Sequence, residues 1–323
     1  MKTFEHINAM TVQEACALLS KYKGKAVLNA GGTDLLGVLK NGILLDYPEA
    51  VINIKTISGL DYIRENNGVL KIGALAKLSD MAQSPLLKER YGALAMAAHS
   101  VATPHIRNAA TIGGNLCQDI RCWYYRYPRH IGGPINCLRK GSGPCLAVRG
   151  DNRYHAIMDG KKCFAVCPSD TAIALAALNG QIILTGPEGQ RKMAVVDFFS
   201  PLGNRLKSYE MITEVEIPMV TDPAKQTFLK FTLREPVDFA LVSVAMVITV
   251  KEGICTDARI ALGAVAPGPI RAKHAEDVIK GRFLDEDAAA EAGALAVAGA
   301  RPLSHNEYKV EIAKTLVKRA ILA

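Results

Sequence analysis

Two glycine pairs do most to restrict how this chain can fold. Gly31-Gly32 in AGGTDLL and Gly113-Gly114 in TIGGNLC each follow an apolar, strand-like run and precede a small polar residue, Thr33 or Asn115. A lone pair is an ordinary tight turn. Two pairs in this setting free main-chain N–H groups that can surround an anion, and the missing Cβ atoms let a diphosphate approach. Neither pair has the G-x-G-x-x-G spacing of a Rossmann dinucleotide site, so a different nucleotide fold is implied.

The flanking pattern mixes helices and strands. Thr11 and Glu14 form a capping box that starts a helix, and Ala26-Val27-Leu28 reads as a strand running into the first glycine pair. Residues 50–57 and 69–78 are strand-like, and residues 81–102 read as a helix broken near Ser84-Pro85. Farther on, SDTAIALAALNG suits a buried helix, QIILTG and AVVDFF are short strands, and EMITEVEIP is a half-exposed strand closed by Pro218 at a domain edge. Beyond it come three more strand-like runs and two helices, the last carrying a second capping box at Ser304 and Glu307. The longest apolar run, FALVSVAMVITV from Phe239, covers 12 residues, short of the roughly 20 that a membrane span needs. The start MKTFEHINAM has no apolar stretch after a basic one, so a cytoplasmic protein that is not membrane-bound is expected.

Eight cysteines are present, and six of them fall between Cys117 and Cys167. Clustered thiols in a reducing compartment favour metal or redox chemistry over disulfides. Cys16 and Cys255 lie in helix- and strand-like context and read as core. The same segment holds the single Trp, Trp123, with Tyr124, Tyr125 and Tyr127. From Gln118 to Cys163 there are nine Arg or Lys against three Asp, an excess of six out of a net charge of +8. Charge concentrated on one loop fits docking of an acidic partner better than tracking of nucleic acid, with Arg121, Arg126, Arg129, Arg139 and Lys140 expected to face that partner.

Seven collinear segments, AGGTDLL, TIGGNLC, SDTAIALAAL, EMITEVEIP, LKFTLRE, LGAVAPGPIRA and SHNEY, resemble the FAD-binding subunits of the molybdenum hydroxylase family over nearly the whole chain. The resemblance implies an α+β fold: a vanillyl-alcohol-oxidase-type FAD-binding domain over 1–218, with subdomains of about 1–56 and 57–218, then a C-terminal α+β domain of the CO dehydrogenase flavoprotein type over 219–323. It implies that Asn29, Ala30, Gly31, Gly32, Thr33, Asp34 and Leu35 wrap the FAD diphosphate, with main-chain donors from Gly31, Gly32 and Thr33. Ala110, Thr111, Gly114 and Asn115 would form the second wall, with Cys117 lining the flavin site. Ser169 and Asp170 would serve the ribose or adenosine hydroxyls, Ile212 would line the flavin pocket, and Lys230 would stand near the ring, where a cation stabilises reduced flavin. The plain alternatives are a helix cap for Asp170, core packing for Ile212 and a solvated Lys230. No catalytic residue is expected on this chain.

More than fifty residues separate Asn115 from Ser169, where commoner family members have a short link. The flavin subunits of 4-hydroxybenzoyl-CoA reductases resemble the chain here, with an inserted loop that binds a [4Fe-4S] cluster. That resemblance implies an Fe-S loop over about 118–168 with Cys122, Cys137, Cys145 and Cys163 as ligands and Cys167 as the alternative fourth. Fourteen, seven and seventeen residues intervene between the four, unlike the tight C-x₂₋₄-C pairs of zinc sites. The implied partners are a large molybdenum cofactor subunit and a small [2Fe-2S] subunit in a dimer of heterotrimers, with an acidic donor such as ferredoxin feeding electrons through [4Fe-4S] and FAD toward reductive dehydroxylation in aromatic degradation. A flavin subunit of a xanthine, aldehyde or N-heterocycle dehydrogenase, passing electrons outward, is the second possibility. A zinc-stapled binding module without redox activity is the third.

Overall fold

The computed structural model describes residues 1–323 except 133–134, 221–223 and 236; Gly133 and Pro134 of the cysteine-rich loop therefore lie outside the described residues. Three sheets carry the fold. Strands β1 (Glu5–Asn8), β2 (Ala26–Asn29) and β3 (Ala50–Asn53) form a parallel sheet in the order β1-β3-β2. All four residues of β3 are buried, as a strand flanked on both sides in a parallel sheet requires. Thr11 caps helix Val12–Lys21 by accepting from the Glu14 N–H, and the Glu14 carboxylate reaches back to the Met10 N–H at 2.7 Å.

The second sheet is antiparallel. It contains β4 (Ile63–Asn66), β5 (Val69–Gly73), β6 (Gln181–Gly186), β7 (Gly189–Ala194) and, after a short ribbon of β8 (Phe199–Ser200) with β9 (Gly203–Asn204), β10 (Met211–Pro218). Its order is β4-β5-β10-β6-β7. The third sheet runs β11-β12-β13-β14, comprising Ala224–Phe231, Val242–Lys251, Ile254–Gly263 and Ile270–Arg271. The long apolar run supplies β12, buried from Val242 to Thr249 and exposed at Val250 and Lys251. Helix Asp170–Ala177 is buried along all eight residues, between the second sheet's core and strands β12 and β13. That position explains why it is apolar on every side.

Three local expectations change. AVVDFF forms a single helical turn, Val195–Phe198, rather than a strand. The stretch predicted as one broken helix becomes three, Leu78–Gln83, Pro85–Arg90 and Gly92–His99, because the chain turns at Tyr91 as well as at Ser84. Ser304 and Glu307 make no capping box: the Ser304 hydroxyl accepts from Asn152 Nδ2 at 3.1 Å, and the helix begins at Tyr308.

Among the described residues of 118–168 there are one short helix, Arg129–Gly132, and two 3-10 turns, Leu138–Lys140 and Leu146–Val148. The segment is tied down from both sides. Arg129 N–H donates to Asn41 O beside the first glycine loop, while Ile157 N–H and Cys167 N–H donate to Val265 O and Ala266 O of the third sheet's trailing loop. Asn306 Nδ2 and the fully buried Lys309 ammonium both donate to His155 O. An irregular loop of this length thus rests on partners from both ends of the chain and on a small core that its Ile120, Tyr125, Cys137, Cys163 and Ala165 share with Val38 and Ile43.

Among the described residues no helix is long and apolar enough to cross a membrane.

Candidate functional site

The two glycine segments meet back to back. A Cβ on Gly31 would stand 2.1 Å from Ala109 O, which no side chain accepts without moving backbone, and one on Gly113 would press Ala74 Cβ and O at 3.0 Å, a tight contact. Gly32 adopts φ +69°, open to glycine at no steric cost. Between the segments lies a cavity of about 490 Å³, within the range of small-molecule and cofactor sites. Asn29, Ala30, Gly31, Gly32, Thr33, Asp34 and Leu35 line one wall; Ala110, Thr111, Gly114, Asn115 and Cys117 line the other, with Ile212.

The two glycine turns differ in what they offer. Among the described residues the N–H groups of Gly31, Gly32 and Thr33 have no acceptor, which leaves three consecutive donors in the wall of the cavity. Asn29 Oδ1 is buried there with no hydrogen-bond partner, an acceptor suited to a hydroxyl. These two features fit a diphosphate with sugar-like hydroxyls. The second pair departs from the expected nest: Gly113 N–H is bound to Ala74 O and Gly114 N–H to Thr111 Oγ1, because both glycines open helix Ile112–Cys117. That turn is a wall rather than an anion cradle.

Ser169, Asp170 and Lys230 are not among the lining residues. Ser169 caps the buried helix and donates to Asn115 Oδ1 at 2.6 Å, so it orients a wall residue from behind. Asp170 and Lys230 answer each other, 2.7 Å apart and both nearly buried, and Lys230 also donates to Ser100 O. Breaking a buried pair from one side leaves an uncompensated charge, so Lys230→Met is expected to lower stability by about 3–5 kcal/mol. Denaturant unfolding should show that loss, with part of it recovered in Lys230→Met, Asp170→Asn.

Asp34 also does something other than expected. Its carboxylate takes Arg126 at 2.6 Å, Arg121 at 3.0 Å and the Asp119 N–H at 2.7 Å, so it clamps the inserted segment onto the glycine loop. Arg121 stacks 4.5 Å over Phe239, and both line the cavity. Burial, opposed by Asp34, pulls the Arg121 pKa down to about 10. Sequence reading missed Arg121 and Phe239 as lining residues; only the position of Arg121 just beyond the TIGGNLC turn hinted at it. Cys117 is exposed to the cavity yet deep among protein atoms, and this burial pushes its pKa up to about 12.

A second, small cavity of about 20 Å³ adjoins the first, and Cys122, Cys137, Cys145 and Cys163 all line it. Cys137 and Cys163 are buried, while Cys122 and Cys145 are half-buried. Cys167 sits elsewhere, in the core beneath the buried helix. All eight cysteines are free thiols. Among the described residues no three His, Cys, Asp or Glu stand together as a single metal ion needs; the four thiols are spread over the cavity walls. Burial raises the Cys122 pKa to about 11.

The basic residues correct an expectation. Arg139 and Lys140 turn inward, at 10% side-chain exposure and 7% residue exposure respectively, and Arg121 and Arg126 are engaged by Asp34. Of the five arginines and lysines expected to face a partner, only Arg129 is exposed. Arg139 Nε donates to Cys163 Sγ at 3.4 Å, and Lys140 lies 5.5 Å over Tyr125 with no carboxylate partner among the described residues. A buried cation without a carboxylate is costly unless some other negative charge faces it. Tyr124 and Tyr125 line the thiol cavity; Trp123 packs behind them against Tyr154 and His155, and Tyr127 packs on Gly132.

One short segment separates the cavities. Asp119 and Arg121 line the larger, and Ile120 and Cys122 line the smaller. Whatever occupies the two sites is one peptide wall apart.

Residues 2–220 match the family model described as the FAD binding domain in molybdopterin dehydrogenase, and residues 227–323 match the CO dehydrogenase flavoprotein C-terminal domain. The chain is 33% identical to the aldehyde oxidoreductase FAD-binding subunit PaoB of Escherichia coli over 97% of its length and 96% of that protein. It is 29% identical to the nicotinate dehydrogenase FAD-subunit of Eubacterium barkeri, over 87% and 81%. Among solved structures, carbon monoxide dehydrogenase from Hydrogenophaga pseudoflava superposes with a TM-score of 0.79 at 28% identity, covering 100% of this chain and 97% of that one.

Proposed function

The chain belongs to the FAD-binding medium subunits of the molybdenum hydroxylase family, and we propose that it is an electron-transfer subunit holding both FAD and a [4Fe-4S] cluster. FAD would lie in the larger cavity, its diphosphate on the Gly31, Gly32 and Thr33 N–H groups and a hydroxyl on Asn29 Oδ1. Cys122, Cys137, Cys145 and Cys163 would hold the cluster. The observation that carries this reading is the gathering of those four thiols on one cavity, beside a buried Lys140 that lacks a carboxylate partner among the described residues. Thiolate-bound iron supplies the negative charge that this cation and Arg139 would face. When bound, FAD exchanges electrons singly or in pairs and the cluster exchanges them singly.

The fold brings the outward-facing cations Arg129, Arg149, Lys161 and Lys162 onto the same loop, a surface suited to an acidic one-electron carrier such as ferredoxin. The substrate would be handled by a molybdenum subunit, reached through a small [2Fe-2S] partner. Two reactions of the complex follow. Reductive dehydroxylation of 4-hydroxybenzoyl-CoA is the one expected from the inserted loop; oxidation of an aldehyde is favoured by the identity with the E. coli aldehyde oxidoreductase subunit. The full chain, purified anaerobically, should contain about four iron and four acid-labile sulfide per FAD. Zinc in place of iron overturns the cluster. Assay of the complex with aldehydes, and with 4-hydroxybenzoyl-CoA plus reduced ferredoxin, separates the reactions.

A further inference from the structure

His155 is 2% exposed, and its Nε2 lies 3.2 Å from Cys122 Sγ. Its other ring nitrogen, Nδ1, is buried with no hydrogen-bond partner among the described residues. The ring is held between Trp123, at 5.7 Å, and Tyr124, at 6.0 Å. Its backbone is fixed as well. His155 N–H donates to Asn152 O, and His155 O accepts from both Asn306 Nδ2 and Lys309 Nζ.

We infer that His155 is a positioning residue for the cluster: it donates its Nε2–H to the Cys122 sulfur and thereby sets the reduction potential. The inference rests on the cluster reading above. A metal-bound cysteine sulfur carries no proton and can only accept. The proton between the two must then sit on Nε2, which leaves Nδ1 as the unprotonated nitrogen, consistent with its lack of an acceptor. Reduction adds negative charge to the cluster, and a donor on a ligand sulfur stabilises the more negative state, raising the potential. His155 does not join the ligand set, because Cys122, Cys137, Cys145 and Cys163 already supply four thiols to the one cavity.

The test is an EPR-monitored redox titration of the full chain, purified anaerobically, as wild type, His155→Phe and His155→Gln. Phe keeps a flat ring for Trp123 and Tyr124 but removes the donor; Gln restores a donor. The expected result is iron retained in both variants, with the Phe midpoint lowered by about tenfold in the reduced-to-oxidised ratio, 59 mV for one electron, and the Gln midpoint returned most of the way. An unchanged potential in an iron-replete Phe variant overturns the inference and leaves the cluster reading intact. Iron lost from both variants also overturns it, since a hydrogen bond that Gln can replace would not then be the role. Wild-type protein without iron removes the cluster reading itself, a result that neither variant can mimic.

Discussion

Gly31→Val strips FAD from the purified chain. A valine Cβ at this position meets Ala109 O at 2.1 Å, with the Ala109 carbonyl carbon at 2.8 Å and Ala110 Cα at 3.0 Å. All three contacts are backbone, so no rotamer change relieves them, and the glycine loop must move off the 109–110 wall. That movement takes the Gly31, Gly32 and Thr33 N–H groups away from where the diphosphate would sit. Loss of two charge-assisted hydrogen bonds at about 1.5 kcal/mol each amounts to roughly a hundredfold in affinity. Visible absorbance near the flavin bands, read against protein content, measures it. Gly37→Ala is the control: a Cβ there meets nothing within 4 Å, and flavin should be retained.

If the proposed cluster is present, Cys137→Ala is expected to lose its iron and keep the flavin. Cys137 is buried at 8% exposure, between the helical turn that begins at Leu138 and the Tyr125 side of the cavity, so water cannot substitute freely for its sulfur. With three thiols left, iron should fall from about four per chain to below about one, while FAD content stays near that of wild type because no glycine-loop contact passes through Cys137. Cys167→Ala should keep its iron, since Cys167 lies in the core against the buried helix rather than on the thiol cavity. Equal iron in Cys137→Ala and wild type would exclude the assigned ligand set.

What could be read from the chain alone was decided by how each signal is generated. The glycine pairs were legible because sterics act locally: a missing Cβ is visible in one residue. The β12 strand was legible because a central strand must be apolar on both faces. Edge strands carry less of that signal, and β4, with the sequence IREN, and β7, with GQRKMA, passed unnoticed. AVVDFF was misread because a short apolar run has no period long enough to tell a buried turn from a strand. The capping box at Ser304 and Glu307 failed for a tertiary reason, because Asn152, 152 residues earlier in the chain, takes the serine hydroxyl.

Direction was the harder quantity. Counting nine cations in the inserted segment was simple, but whether a cation faces water or sulfur depends on which carboxylates the fold brings near. Asp34 lies 92 residues from Arg126 and captures it. The same long-range pairing hid the link between Asp170 and Lys230, 60 residues apart. The gathering of four cysteines at spacings that no single-ion motif uses was suggested by resemblance, and no local rule would have selected Cys163 over Cys167.

The Lys309 ammonium that holds His155 O has a consequence in time. Lys309 follows His155 by 154 residues, so at a synthesis rate of about 5–20 residues per second the ribosome makes the thiol-bearing loop roughly eight to thirty seconds before the residue that fastens it. Through that interval the six thiols from Cys117 to Cys167 are outside the tunnel or entering solution without their final clasp. A chain cut short before Lys309 would therefore carry all six of these thiols without the contact that fastens His155.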